Sequence, residues 1–332
     1  MMKSTLISCL FFLTLCAGCT VPPYSRQDIE KLNGLAVGNG ISLHPTEKWM
    51  LISRPSEFTN KANGKPFYKI YFLELGEDGW GEPQTVSFES RFNDYHPIIS
   101  SDGRWVYFNS DRPPPGEILP AEKMNVWRVA VRSKAFSTPE YLTDINTEHH
   151  ESYPSVTGEG VLYFNSDRPG GKGSMDFYRA SPIGNGFSAP ELVTALNSAD
   201  SENDLTIDPL ERFVVFNRYL FDTNEVDLFI SNNQGGSWTA PVPLDKINQA
   251  DVWELTPTLS PGGTYLLIEV DGKIQVSLMD DVLEQQSWKD RRQDGQLRSS
   301  GFELPSPHFQ LSHPFSLQLN IQLIPYLSVQ LP

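Results

Sequence analysis

Short apolar runs separated by polar turns recur along most of the chain, and at a nearly fixed distance. Residues 95–108 (YHPIISSDGRWVYF), 153–164 (YPSVTGEGVLYF), 204–216 (DLTIDPLERFVVF) and 256–268 (TPTLSPGGTYLLI) align almost without adjustment, and 40–52 (GISLHPTEKWMLI) is a weaker fifth copy. With Ile41, Pro97, Pro154, Leu205 and Pro257 equivalent, the periods are 56, 57, 51 and 52 residues. Each copy predicts a short strand, a polar turn (SDG, GEG or PGG), and a second, strongly apolar strand. A third strand is predicted at 69–73, 125–131, 176–180, 227–231 and 273–277. An aromatic and a proline three apart follow in four copies: Trp80/Pro83, Phe136/Pro139, Phe187/Pro190 and Trp238/Pro241. These introduce a fourth strand ending in asparagine, at 142–146, 192–197 and 244–248.

Four short strands in a unit of roughly fifty residues, each unit hiding its apolar faces only against its neighbours, predict the blades of an all-β β-propeller. A stacked β-solenoid has much shorter periods. Residues 29–33 (IEKLN) match the fourth-strand segments, since Asn33 precedes Ile41 by eight residues as Asn146 precedes Pro154. The fifth copy lacks the aromatic and proline after its third strand. We therefore expect five four-stranded blades, the last completed by the N-terminal strand, which removes the open sheet edges. Six blades are the alternative and would need residues 283–332. That stretch opens with an Arg/Gln-rich segment and ends in an alternating run at 315–331, without the other landmarks of the repeat.

The units resemble the WD40-like repeat of TolB-type periplasmic propellers, through Asn109-Ser-Asp-Arg-Pro113 and Asn165-Ser-Asp-Arg-Pro-Gly-Gly171. Residues 167–178 also resemble propeller modules of envelope lipoproteins that carry a peptidoglycan-binding domain. The resemblance covers roughly 24–280 and implies a fold and an envelope setting more than an activity. Ser231-Asn-Asn-Gln-Gly-Gly-Ser-Trp238 resembles the Asp-box of sialidase-type propellers, with Asn233 in the place of aspartate. That motif is structural, so it implies a tight hairpin.

The N-terminus changes the picture from fold to location. Lys3 and an apolar run at 6–15 form a secretory signal too short to span a bilayer as a permanent helix. Leu15-Cys-Ala-Gly-Cys19 resembles a bacterial lipobox, which implies cleavage before Cys19 and a diacylglycerol on its thiol; an ordinary signal cut nearby is the alternative. Cys9, Cys16 and Cys19 are the three cysteines of the 332 residues, which suits an oxidising compartment and leaves no disulfide framework. The expected organisation is a signal peptide at 1–18, a propeller at 19–282 and a tail at 283–332, irregular or adding one strand. Thr20 follows the cysteine in place of the aspartate associated with inner-membrane retention, so the analogy favours the outer membrane. The composition (39% hydrophobic, 11% aromatic, 26 Pro and 24 Gly spread along the chain) fits an all-β protein. A net charge of −15 argues against nucleic acid and against a polybasic membrane surface, leaving the lipid as the expected anchor of a monomer.

Candidate chemistry sits three residues before the equivalent prolines: Asp94, Glu151, Glu202 and Glu254, with Gly38 in the first copy. Beyond the second strand, on the same face, stand Arg112, Arg168 and Arg218, with Arg54 approximately equivalent. Two readings stay open. Either arginine–carboxylate pairs tie loops together, or unpaired members bind Ca2+, another divalent cation or a polar ligand at the channel mouth. Trp253, Tyr95, Tyr153 and Tyr219 suit sugar or peptide contact, or equally packing between blades. His149-His150-Glu151 lacks the helix and spacing of a metal-binding His-Glu-x-x-His, and His96 is read as packing beside Pro97. No nucleophile elbow, P-loop or dinucleotide fingerprint occurs, and no cofactor is expected. The expected function is a non-catalytic binding or scaffolding propeller for an envelope protein or glycan. The alternative is a carbohydrate-active enzyme, a glycosidase or lyase, using Asp94, Glu151 and Glu202.

Overall fold

The structure is a computed structural model that describes residues 23–60 and 64–283. It is all β apart from short helical turns, and its strands form five antiparallel blades. Their inner three strands are Ile41–Leu43, Trp49–Thr59 and Pro66–Gly76; Asp94–Ile99, Trp105–Ser110 and Asn125–Arg132; Glu151–Val156, Leu162–Ser166 and Asp176–Ala180; Ser201–Ile207, Phe213–Leu220 and Glu225–Gln234; and Leu255–Leu259, Tyr265–Val270 and Lys273–Leu278.

The second strands explain why they read as unbroken apolar runs. In a strand, successive side chains point to opposite faces, and here both faces are covered by a neighbouring blade. Trp49 and Leu51 pack toward blade 2, whereas Met50 and Ile52 pack toward blade 5. Tyr163 packs toward blade 4 and Leu162 and Phe164 toward blade 2; Val214 and Phe216 pack toward blade 3 and Phe213 and Val215 toward blade 5. Leu266 and Ile268 meet blade 4 while Tyr265 and Leu267 meet blade 1. Five apolar layers between five blades leave no blade with a bare face, and this closes the ring at five.

The fourth strands are shorter than the sequence predicts, and their expected ranges fall just past the ladder. Each fourth strand pairs with the third over two residues, at Gln84–Thr85, Glu140–Tyr141, Glu191–Leu192 and Val242–Pro243. Beyond them the chain turns, and the recurring asparagine replaces the missing ladder. Asn146 accepts from Val126 N (2.8 Å) and donates to Val126 O (2.8 Å). Asn197 clamps Phe177 in the same way (2.8 and 3.1 Å), and Asn248 clamps Leu228 (2.9 and 3.0 Å). A side-chain amide presents the same donor and acceptor as a peptide unit, so it can stand in for one. Blade 1 has Glu89 at this position. There the Lys69 ammonium bonds to Ser90 O (2.6 Å) and Phe92 O, and burial lowers its pKa.

The N-terminal segment closes blade 5, though not as one regular strand. Residues Arg26–Glu30 form a short helix, started by a reciprocal capping box between Ser25 and Asp28, which buries Ile29. Residues 33–37 then run along the last strand: Gly34 N donates to Ile274 O (2.7 Å), Ile274 N to Leu35 O (2.9 Å) and Val37 N to Gly272 O (2.9 Å). Asn33 takes the clamp position, accepting from Val276 N at 3.4 Å. At the other end, residues 279–283 turn helical and sink Met279 and Val282 into the layer between blades 4 and 5. The expected signal at 1–18, the expected lipidation residue Cys19 and all of the tail except Leu283 lie outside the described residues. Among the described residues no helix is long and apolar enough to cross a membrane.

Around the axis the innermost strands carry β-bulges, with His96, Tyr153 and Thr256 at φ of 53°, 50° and 45° and Gly40 at 114°. The bulge turns backbone N–H groups toward the next blade. Asn39 N donates to Glu269 Oε2 (2.9 Å), His96 N to Asn39 O (2.9 Å), and Tyr153 N to Asn109 Oδ1 (2.9 Å). Asn165 Nδ2 donates to Glu202 O and Asn203 O (both 3.2 Å), and Thr256 N to Asp204 Oδ2 (2.8 Å). All five blades are thereby joined in one polar ring.

Candidate functional site

The carboxylates of blades 2, 3 and 4 stand where the repeat puts them, at the start of the innermost strands, and each is engaged by the arginine of its own blade. Arg112 grips Asp94 with Nε and Nη2, both at 2.9 Å; Arg168 Nη2 reaches Glu151 at 2.9 Å; Arg218 Nε reaches Glu202 at 2.7 Å. The same guanidiniums donate to a carbonyl at the outer end of the preceding blade: Phe88 O (2.5 Å), Ile145 O (2.8 Å) and Leu196 O (3.1 Å). Each also lies against an aromatic ring of its second strand: Phe108, Phe164 or Phe216. A hydroxyl four residues upstream fills a further lone pair, from Ser90, Thr147 or Ser198. These three carboxylates are part of the wall, joining one blade to the next. Arg218 comes two residues earlier in its repeat than Arg112 and Arg168, inside the second strand rather than beyond it, and still makes the same bridge. For Glu202, burial outweighs these partners and raises the pKa.

Blade 1 departs from the pattern for a steric reason. A Cβ on Gly38 would come within 2.9 Å of the Tyr68 ring, so no side chain fits, and Arg54 donates to Ala36 O instead. Blade 5 departs in the opposite way. Glu254 is fully buried, but Val270, Asp271 and Gly272 occupy the places where an arginine would stand. Its Oε1 accepts from Gln249 N (3.1 Å) and its Oε2 has no partner. Burial, with the charges of Asp227 and Glu225 behind it, pushes its pKa up to about 7.

On this same face a cavity of about 490 Å³ opens at the channel mouth, mainly over blades 4 and 5. Asp204, Asn203, Asn217 and Asn39 give it a polar floor, and Tyr153, Tyr219, Phe221 and Trp253 an aromatic wall. Trp253 is 52% exposed, with its indole N–H on Asn224 O (3.2 Å) and its ring edge-on to Tyr219 (centroids 6.2 Å). Asp204 Oδ2 takes bonds from Asn217 Nδ2 (2.9 Å) and Thr256 N (2.8 Å). Burial, reinforced by Glu269, pushes its pKa up to about 7. Of the residues singled out in the sequence, Tyr153, Tyr219 and Trp253 line this cavity, while Tyr95 sits between Tyr68 and Tyr153.

Asp204, Asn217 and Glu269 are the polar residues sequence reasoning missed. The position just before the equivalent proline reads Gly40, His96, Tyr153, Asp204 and Thr256, and that variety hides its shared place on the axis. His96 is wholly buried against Gly40 and Tyr153 with neither ring nitrogen bonded, and burial lowers its pKa to about 3, so it is neutral. His150 accepts from Met124 N, and His149 stands 3.7 Å from Asp167, so the His-His-Glu run splits among separate partners. Among the described residues no three His, Cys, Asp or Glu side chains are grouped to hold a metal ion. In the Asp-box-like hairpin, Asn233 Oδ1 accepts from Gly236 N (2.8 Å) and closes the turn, a structural part.

No family model matches the chain. An uncharacterized protein of Agrobacterium fabrum strain C58 is 33% identical over 100 residues, a stretch that makes up 30% of this chain and 29% of that relative. Among solved structures, a protein provisionally named TolB from Agrobacterium tumefaciens is 20% identical, with 64% of this chain and 66% of that one covered and a TM-score of 0.43. A gluconolactonase from Xanthomonas campestris is 12% identical, with 74% and 88% covered and a TM-score of 0.44. At such identities and scores these likenesses carry no information about activity.

Proposed function

We propose that this chain is a non-catalytic binding propeller of the bacterial cell envelope, which offers the cavity at its channel mouth to a protein or glycan partner. One observation carries the reading. Asp94, Glu151 and Glu202 are committed to arginines inside the wall, and among the described residues Asp204 is the single charged residue lining the cavity. In most families glycoside hydrolysis uses two carboxyl groups facing one bond. A concave site with aromatic walls and a few convergent polar groups has the make-up of a binding pocket.

The path of the N-terminus supports an envelope arrangement. The Tyr24 hydroxyl donates to Glu47 O (2.7 Å) and Trp49 O (2.6 Å), at the turn between the first two strands of blade 1. That turn is on the face opposite the channel mouth. With a lipid on Cys19, a few residues upstream, the mouth would point away from the membrane.

The soluble form, begun after Cys19, should bind a component of a glycan or peptide array and lose it in Trp253→Ala, with no glycoside cleaved. Glycoside turnover by the purified soluble form would sink the reading. The anchor is tested separately, by metabolic labelling with palmitate that is lost in Cys19→Ala.

A further inference from the structure

The carboxyls at the rim of the channel fall into two groups. Asp94, Glu151 and Glu202, at the entrances of blades 2, 3 and 4, each face the guanidinium of their own blade. Asp204, two residues beyond Glu202 on the same strand, and Glu254 and Glu269 of blade 5 are also buried, and among the described residues none of these three is in an ion pair. Among the described residues no lysine or arginine lines the cavity. Arg218, which stands between the lining residues Asn217 and Tyr219, is committed to Glu202 and leaves Asp204 without a cation.

We propose that the channel-mouth cavity binds an organic cation, a primary ammonium or guanidinium group, with Asp204 as its counter-charge and Tyr153, Tyr219 and Trp253 as its aromatic wall. The inference rests on the binding reading above and names the ligand class. Aromatic faces attract a cation through the ring quadrupole, and the attraction grows where water is excluded. The floor adds acceptor oxygens from the amides of Asn39 and Asn203 and the hydroxyls of Ser174 and Ser201. Aromatic walls and, among the described residues, the lack of any three-carboxylate grouping suit an organic cation rather than a metal ion. The raised pKa of Asp204 agrees, because a carboxyl without a cation holds its proton, and an incoming ammonium would release it.

The test is calorimetric titration at pH 8 with Nα-acetyl-lysine methylamide, its neutral isostere Nα-acetyl-norleucine methylamide, and N-acetylglucosamine. A lysine-containing peptide, run beside the free amide, tells a partner chain from a small amine. The lysine probe should saturate the site, and norleucine should bind about tenfold more weakly or worse, the loss expected for a desolvated cation–π and ion-pair contact. Asp204→Asn keeps an oxygen for Asn217 and Thr256 and should bring the lysine probe down to the norleucine level. Trp253→Ala, an exposed change, should weaken lysine binding without affecting folding. Equal binding of lysine and norleucine, or no lysine binding, overturns the proposal. N-acetylglucosamine binding that Trp253→Ala removes, with lysine inert, would overturn it while leaving the binding propeller intact. A mouth that binds no probe and no array component would remove both.

Discussion

Glu151 and Glu254 occupy the same place in the third and fifth repeats, are equally buried, and differ in whether a guanidinium faces them. Removing one partner of a buried pair leaves the other charge uncompensated, so Glu151→Gln should cost about 3–5 kcal/mol. Glu254 behaves in the opposite sense. Its folded pKa of about 7 lies above the ordinary carboxyl value, so between about pH 4.5 and 7 the folded chain holds a proton that the unfolded chain has lost. Its contribution to stability is therefore greatest at acid pH and falls as pH rises to 7, by up to about 1.4 kcal/mol per unit. Asp204, also near 7, adds the same sign, with Glu269 the charge facing it and Tyr95 and Tyr153 the neighbouring hydroxyls. Glu254→Gln should flatten this slope and be neutral or stabilising at pH 8, read from denaturant unfolding at pH 5 to 8. A destabilised Glu254→Gln at pH 8 would show that the carboxyl is ionised and satisfied. The arginine pairs were one of two readings the sequence left open, legible because both partners recur in blades 2, 3 and 4 at similar places, 16 to 18 residues apart. Asp204 was not, because its position holds a different side chain in every blade.

At the scale of the element, the second and third strands were legible because burial on two faces leaves a long apolar run. The fourth strands were not, since two ladder residues and a turn carry too little pattern to tell a strand from a loop. What the sequence did show was the asparagine, a strand's end by position and a backbone clamp by structure. This makes a prediction specific to the clamp. Asn197→Ala leaves Phe177 N without an acceptor, at a cost of about 1–3 kcal/mol, and takes one of two donors from Phe177 O, which keeps its bond from Val193 N. Asn197→Asp keeps the acceptor for Phe177 N but faces Phe177 O with a second acceptor, so it should be destabilised nearly as much. Equilibrium unfolding of the two variants decides it; a loss below about 0.5 kcal/mol, the range of surface changes, would mean that water replaces the amide. The N-terminal helix was misread for a related reason. Residues 29–33 match the fourth-strand segments because Ile29, Leu32 and Asn33 do the same work of burial and clamping from a different backbone. The capping box at Ser25 and Asp28 was the local signal for a helix.

The whole ring depends on one seam. Every junction but one joins segments contiguous in sequence, whereas blade 5 is completed by residues more than two hundred positions upstream. Blades that touch only their neighbours behave as a nearly one-dimensional array, in which the weakest junction opens first. Leu32 is fully buried in the layer between blades 5 and 1, where it holds residues 33–37 against the last strand. Leu32→Ala should cost about 2–5 kcal/mol if the ring unfolds as a unit. If the seam opens by itself, the loss is local. Hydrogen exchange should then quicken at the Ile274 amide, which donates to Leu35 O, while Val193 N, bonded to Phe177 O on the far side of the ring, keeps its protection. Equal acceleration at both amides would instead make the five blades one cooperative unit. We expect the seam to open first, because Asn33 makes one contact of 3.4 Å where Asn146, Asn197 and Asn248 each make two shorter ones, and because no short connection ties residues 33–37 to the strand they cover.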